Sequence, residues 1–356
     1  MIIGKKNSDF IMQKKKDFTK TFILNSLNLP ILKNFDDLSN QLAISKRLLF
    51  ILSNNTAEHY RKFYINKQNG TKREILSPSK SLKLIQRWIL KEILEKLSVS
   101  DESMAFVPKL NGINQNATTH RYSTYLLEMD LRNFFPSIDK KQVFFLFRNI
   151  GYNNLISTIL ASLCTYNDYL PQGGVCSPYI SNLIAFKLDR RLKGLCSKRD
   201  ILYTRYADDI TFSCDNKLTL KKLRPIVEEI IKDEGFDINK DKTRFISPGS
   251  HKRVTGITIH NGKLKARKIL KKELRALIYS SILDSDYSSK NRIVGLISHI
   301  NSIEKGYKNN IINYVTNLLC KVKNNELFDN LFSENDMSNI FDEFNKNKFY
   351  KEIDVN

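Results

Sequence analysis

The nine residues RYADDITFS, Arg205 to Ser213, set two carboxylates, Asp208 and Asp209, side by side between short runs of strand-forming residues. Two readings fit that pair. Asp is a common turn residue, so the pair could simply close a hairpin. Adjacent acids also supply hard oxygen ligands of the kind that suit Mg2+. A third acid bears on the choice. EMDLRNFFPSID places Asp130 at the end of an apolar stretch, 78 residues before Asp208. A carboxylate there is costly unless it is paired or bound to a metal, although taken alone it also fits a strand-end cap. If folding sets the Asp130 strand beside the YADD hairpin, three carboxylates converge. Two ions held there could polarise an attacking hydroxyl and stabilise a leaving pyrophosphate, the chemistry of phosphoryl transfer.

The elements that would position these acids follow from pattern. STYLLEMDL reads as a buried strand ending at Asp130, and YADD sits between two strands. Residues 81–97 place Leu82, Ile85, Ile89 and Ile93 at helical spacing, which predicts an amphipathic helix. KQVFFLFRNI and NLISTILASLCTY also read as helices. PQGGVCSP reads as a loop feeding a helix, with Ser177 at the N-cap and Pro178 at the first helical position. A further helix is closed by Gly235, and RVTGITIHNGKLKA reads as a hairpin turning at Asn261-Gly262. From about residue 264 onward the pattern is mostly helical.

Composition narrows the partners. The 356 residues are 41% hydrophobic, which suits a globular chain of two or three subdomains. No apolar run approaches the roughly 20 residues needed to span a bilayer, and charges interrupt the start where an export signal needs its apolar core. The five cysteines, Cys164, Cys176, Cys196, Cys214 and Cys320, form no CxxC pair, so the chain is expected in a reducing cytoplasm, with no disulfide framework and no membrane. The net charge is +21, with a pI near 9.6, and points to a polyanion such as nucleic acid. The surplus is uneven, because residues 325–356 hold three Lys against eight Asp and Glu.

The order of the pieces adds more. Along the chain come a basic KREI strand, an Asp strand with an aromatic five residues on, and a PQGG loop and helix. The YADD hairpin, a GFDINKDKT segment and a glycine-containing hairpin follow. This ordered set resembles the reverse transcriptases, over roughly residues 60 to 320. The resemblance implies an α+β right-hand polymerase fold with fingers, palm and thumb. Residues 1–60 would form a helical N-terminal region and 61–125 the fingers. Residues 126–250 would form the palm, an antiparallel sheet plus helices. Residues 251–324 would supply a hairpin and helical thumb that binds RNA, and 325–356 an acidic C-terminal extension. It also implies catalytic Asp130, Asp208 and Asp209 holding two Mg2+ ions, with Leu131 in the metal set. Arg73 would grip the triphosphate of an incoming dNTP, with Lys72 or Lys67 as a second basic residue. Phe135 would lie beneath the sugar, unless it is core packing like its neighbour Phe134. Gln172 would line the nucleotide and template pocket, with Gly173 and Gly174 allowing close backbone approach. Lys242 would stand near the leaving pyrophosphate, unless it is a solvated surface lysine.

NATTH, Asn116 to His120, and VTG, Val254 to Gly256, at these positions resemble the retron reverse transcriptases. The departure is at Val175 and Cys176, where that family more often has Ala and Thr. The resemblance implies a cognate structured non-coding RNA and self-priming from the 2′-hydroxyl of an internal guanosine. The product would be a branched RNA–DNA hybrid (msDNA), made in antiphage defence with a separately encoded effector protein. Nine Lys and Arg against one acid between Lys252 and Arg275 suit phosphate contacts. The expected RNA contacts are Asn116, His120, Val254, Thr255, Gly256, Lys263, Lys265, Arg267 and Lys268. The acidic tail reads as amphipathic helix, packed on the enzyme body or docking an effector. Two alternatives stay open: another prokaryotic reverse transcriptase, of abortive-infection or intron-derived type, or an RNA-binding scaffold that restrains an effector.

Overall fold

A computed structural model describes residues 20–66, 70–283 and 288–323. Lys67 and the acidic extension from 325 lie outside the described residues. The chain divides into two compact units, one within Met1–Gly112 and Ser123–Pro248, the other within Ile113–Tyr122 and Gly249–Asn356. Residues 113–122, expected from the sequence to belong with 61–125, thus pack with the chain after 249.

The first unit is built on one antiparallel sheet. Its strands are β3 (Tyr125–Arg132), β4 (Leu202–Tyr206), β5 (Asp209–Cys214), β6 (Asp237–Ile238) and β7 (Arg244–Ile246), in the order β4-β5-β3-β6 with β7 also pairing β3. These runs are rich in Tyr, Thr, Ile and Phe, which suit a pleated, packed surface. The helix Lys217–Asp233 packs on β3 and β5, and Phe186–Ser197 packs on β4. Leu127, Met129, Ile210 and Phe212 are buried in the resulting core. A separate ribbon pairs β1 (Tyr60–Asn66) with β2 (Lys72–Pro78). The helix Lys80–Glu92 follows, capped by Ser79, and Leu82, Ile85, Ile89 and Ile93 are all buried as their spacing predicts.

Two boundaries differ from the sequence reading. β3 runs past Asp130 to Arg132, because β6 pairs with Leu131 and Arg132 and prolongs the ladder. Ser177 is not an N-cap. The helix Ser177–Ile184 begins from Cys176, already in helical conformation, and the Ser177 hydroxyl makes no capping bond. Gly235 does close the Lys217–Asp233 helix. It takes φ +83°, its N–H donates to Lys232 O, and Phe236 N–H donates to Ile231 O.

The second unit has its own core. A meander, β8 (Arg253–Val254), β9 (Ile257–His260) and β10 (Lys263–Lys265), precedes the helices Lys268–Leu283, Lys290–Ile303 and Tyr307–Lys323. Leu274, Ile278, Ile293, Ile297, Ile300 and Ile311 are buried among these helices. Asn261 (φ +50°) and Gly262 (φ +70°) make the expected tight turn, and Thr255 (φ +44°) with Gly256 (φ +83°) make another. Among the described residues no helix is long and apolar enough to cross a membrane. Cys164, Cys176, Cys196 and Cys214 are free, buried thiols.

Candidate active site

β5 lies between β4 and β3, and this order brings the three carboxylates together. Asp130 on β3 is the register partner of Asp209 on β5. Tyr206 pairs with Asp209, so β4 and β5 are joined by a loop of two residues, Ala207 and Asp208. Ala207 takes φ +57°, a left-handed conformation costly for a residue with a Cβ. Leu131 N–H donates to Asp208 O at 2.9 Å, which fixes the turn against β3. YADD is therefore a tight turn, and the same turn holds Asp208 beside two other acids.

β6 and the short 3-10 turn Lys240–Lys242 deliver a cation to the same place. Asn239 N–H donates to Asp130 O at 2.8 Å, and Lys242 Nζ reaches Asp130 Oδ2 at 2.7 Å. Lys242 is exposed, as a surface lysine would be, but its ammonium is paired with Asp130. Loss of water disfavours its charge, but the bond to Asp130 and the charges of Asp208 and Asp209 outweigh that and raise its pKa. Burial, then the charge of Asp130, raises Asp208, although a backbone hydrogen bond, Lys242 and Arg73 pull the other way. Asp209 is open to solvent on one side. Loss of water on the others, then the charges of Asp208 and Asp130, push it up to about 6.

These shifts test the site for a cation. Burial first, and the neighbouring acids after it, disfavour the charged form of Asp208 and Asp209, and hard carboxylate oxygens suit a divalent ion. Among the described residues no three Asp, Glu, His or Cys side chains stand in a ready ligand cluster, and Lys242 engages Asp130. The donor chemistry and charge fit a divalent ion. Leu131, its side chain buried in the core, could add only its main-chain oxygen.

The residues expected around a nucleotide are distributed as follows. Arg73, exposed on β2, is near enough to lower the pKa of Asp208, while Lys72 is exposed at the far end of the β1–β2 pairing. Phe134 is core, packed on Phe236 with the Arg205 guanidinium over its ring. Phe135 is only half-buried, so of the two it is the one available to a ligand. Gln172 O accepts from Leu76 N–H at 2.8 Å, tying the PQGG loop to the strand that carries Arg73. Gly173 takes φ +118°, and a Cβ there would stand 2.7 Å from Leu76 O. A Cβ on Gly174 would meet Ser177 Oγ at 2.6 Å. The close approach that requires both glycines is thus to the protein itself.

Of the expected RNA contacts, Asn116, His120 and Val254 are buried, which removes them from direct contact with RNA. Asn116 Nδ2 instead donates to Thr255 Oγ1 at 3.1 Å. Burial, then the Lys252 charge, lowers His120 to about 3, so it is neutral near pH 7. Gly256, Lys263, Lys265 and Lys268 are exposed, and Thr255 and Arg267 half-buried. Glu304 offsets part of this charge by pairing with Lys265 at 3.4 Å.

Two positioning residues escape a reading of the sequence. Arg205, fully buried, donates to Asp189 through Nε (2.8 Å) and Nη2 (2.7 Å), and its Nη1 donates at 3.1 Å to Asn182 Oδ1 and to Ala207 O. It therefore holds the strained carbonyl next to Asp208. Its signal is an Arg alternating with Tyr203 on β4, but the partner on the Phe186–Ser197 helix is not legible from spacing. Gln86 is the other. Its Nε2 donates to Tyr60 Oη (2.7 Å) and Leu163 O (2.8 Å), and its Oε1 accepts from Val175 N–H (3.0 Å), which anchors the PQGG loop.

Comparison with known proteins bears on what the arrangement serves. Residues 65–270 match the family described as Reverse transcriptase (RNA-dependent DNA polymerase). The Retron Ec86 reverse transcriptase of Escherichia coli is 37% identical over 316 residues, which cover 88% of this chain and 98% of that one. The Retron Mx65 reverse transcriptase of Myxococcus xanthus is 31% identical over 295 residues, 76% of this chain and 69% of that one. Among solved structures, telomerase from Candida tropicalis in complex with a fragment of telomeric RNA aligns with TM-score 0.42 and 15% identity, over 79% of this chain and 59% of that chain.

Proposed function

Because this chain belongs to the reverse transcriptase family, is of the retron type and has the right-hand polymerase fold, we propose that its RNA-directed DNA synthesis runs on one cognate structured RNA, primed from a 2′-hydroxyl of that RNA. The product is a branched RNA–DNA hybrid. The observation that carries the reading is the register pairing of Asp130 with Asp209, with Asp208 in the adjoining turn.

Asp130, Asp208 and Asp209, with the main-chain oxygen of Leu131, would hold two Mg2+ ions. Bound there, the ions supply a lowered hydroxyl pKa and charge neutralisation at the phosphates. Arg73 grips the triphosphate of the incoming dNTP through charge-assisted hydrogen bonds. Lys242 stays protonated at neutral pH, and once Asp130 is otherwise neutralised it turns to the leaving pyrophosphate. Phe135 lies under the sugar and leaves no room for a 2′-hydroxyl. The exposed Lys263, Lys265 and Lys268, with Arg267, hold the RNA backbone. The setting is the bacterial cytoplasm, in antiphage defence with a separately encoded effector.

Asp208→Asn is the direct test. It should abolish dNTP incorporation while the protein stays folded and RNA-bound, and near-normal extension by that variant in Mg2+ would falsify the assignment. Sequencing the nucleic acid that co-purifies with the wild type should recover one RNA joined to DNA by a 2′–5′ branch. Recovery of unbranched DNA alone would sink the self-priming part.

A further inference from the structure

Phe106 combines two unfavourable features. Its backbone is left-handed, at φ +61°, where a bulky residue is an outlier. Its ring is 42% exposed. The ring ends a row of four aromatics that leads out of the core. Phe236 and Phe134 are buried and 5.6 Å apart, Phe134 lies 5.7 Å from half-buried Phe135, and Phe135 lies 6.2 Å from Phe106.

The backbone that presents Phe106 is firmly tied. Arg205 N–H donates to Glu102 O, and Met104 N–H donates to Arg205 O, each at 2.8 Å. Asn182 Nδ2 donates to Ala105 O at 2.8 Å in a buried bond, and the same Asn182 accepts from Arg205. Ser103 thus forms a single parallel bridge with Arg205 on β4, and Phe106 follows three residues on. Arg205 also holds the Ala207 carbonyl beside Asp208. The strand that sets the catalytic turn thus also sets Phe106. An exposed ring, held in a costly conformation by a rigid frame beside Phe135, is placed to meet a ligand.

We propose that Phe106 is a nucleoside-stacking residue of the active site. Its free face takes the apolar face of a base or sugar adjoining the position over Phe135. This rests on the polymerase reading and deepens it. Aromatic faces stack on nucleosides with little regard to sequence, as a polymerase that copies any template needs. The nucleoside can belong to the incoming dNTP or to the primer–template, and the chemistry is the same.

The test uses the full chain with an annealed DNA primer on an RNA template. KM for dNTP, Kd for primer–template and Tm are measured for wild type, Phe106→Ala, Phe106→Gly and Phe106→Tyr. The Ala and Gly variants should raise KM or Kd by roughly fivefold to a hundredfold, the span expected when one base no longer stacks. Tyr should restore the wild-type value. The Gly variant, relieved of the left-handed Cβ, should melt no lower than wild type. A raised KM at unchanged Kd assigns the incoming nucleotide, and a raised Kd assigns the strand. If KM and Kd are both unchanged in the Ala and Gly variants, the proposal is overturned. It is overturned equally if activity falls only in step with Tm and Tyr fails to rescue. A wild type that does not extend at all would instead count against the polymerase reading.

Discussion

Asp130 faces Asp209 directly across the β3–β5 ladder. Like charges in that register weaken a sheet. Lys242 offsets one of them at 2.7 Å, and Asp208 in the next turn adds a third acid. The sheet accepts this arrangement because the surrounding packing of Leu127, Met129, Ile210 and Phe212 fixes the register. The charge imbalance that remains is what a divalent cation would relieve.

Burial of Asp209, with the charges of Asp208 and Asp130 beside it, sets a pH dependence. Folded, Asp209 keeps its proton up to about 6, whereas the unfolded chain releases it near about 3.9. Between those values the folded state binds more protons, so stability falls as pH rises through the window and then levels off. Without divalent metal, Tm should drop across that range, and Asp209→Asn should flatten the drop. At neutral pH, Mg2+ should raise the Tm of the wild type more than that of the variant. An unaltered slope in Asp209→Asn would show that another group titrates.

Arg205 and Asp189 form a fully buried pair. Arg205→Leu leaves Asp189 without its cation and should cost about 3–5 kcal/mol of stability, measured by urea unfolding. The double variant Arg205→Leu, Asp189→Leu should recover most of that loss. Polymerase activity should not recover with it, because the Ala207 carbonyl still lacks its donor. Full recovery of both would reduce the pair to a packing element.

Much of this is legible in the sequence because it rests on local chemistry. Asn261-Gly262 specifies its turn, Gly235 its helix end, and the spacing of Leu82, Ile85 and Ile89 its buried face. Asp130, Asp208 and Asp209 are legible as a set once the ordered motifs suggest a common sheet. What stays hidden depends on the meeting of distant segments. Nothing near Arg205 names Asp189 or Asn182 as partners. Nothing in MAFVPK shows that Phe106 is left-handed and stands against Phe135. Asn116 and His120 are expected as RNA contacts from the NATTH resemblance, yet the chain buries both.

The two adjacent phenylalanines should separate cleanly. Phe134 is core, so Phe134→Ala should cost about 3–5 kcal/mol, read from urea unfolding. Phe135 is half-buried, so Phe135→Ala should cost less and should let ribonucleotides compete with dNTPs during extension. If Phe135→Ala leaves sugar selection unchanged, the gate lies elsewhere and Phe135 only supports Phe106.

The second unit offers a test of what binds RNA and what merely holds the fold. Asn116 donates to Thr255, a β-branched residue held at φ +44°. Asn116→Ala removes a buried donor and should destabilise the unit by about 1–3 kcal/mol, with RNA affinity falling only as far as unfolding accounts for it. Thr255→Gly loses the same bond but relieves the left-handed strain, so its net effect should be near zero. Lys263→Gln and Lys268→Gln act in the opposite way. Both side chains are exposed, so Tm should hold while binding weakens for every RNA tested. Each phosphate interaction removed should also lower the slope of log K against log salt by about 0.7 to 0.9. Measuring affinity at several salt concentrations, alongside Tm, sorts the residues. A lysine variant with an unchanged salt slope does not touch phosphate, and an Asn116→Ala protein that stays fully folded yet loses RNA would return Asn116 to the interface.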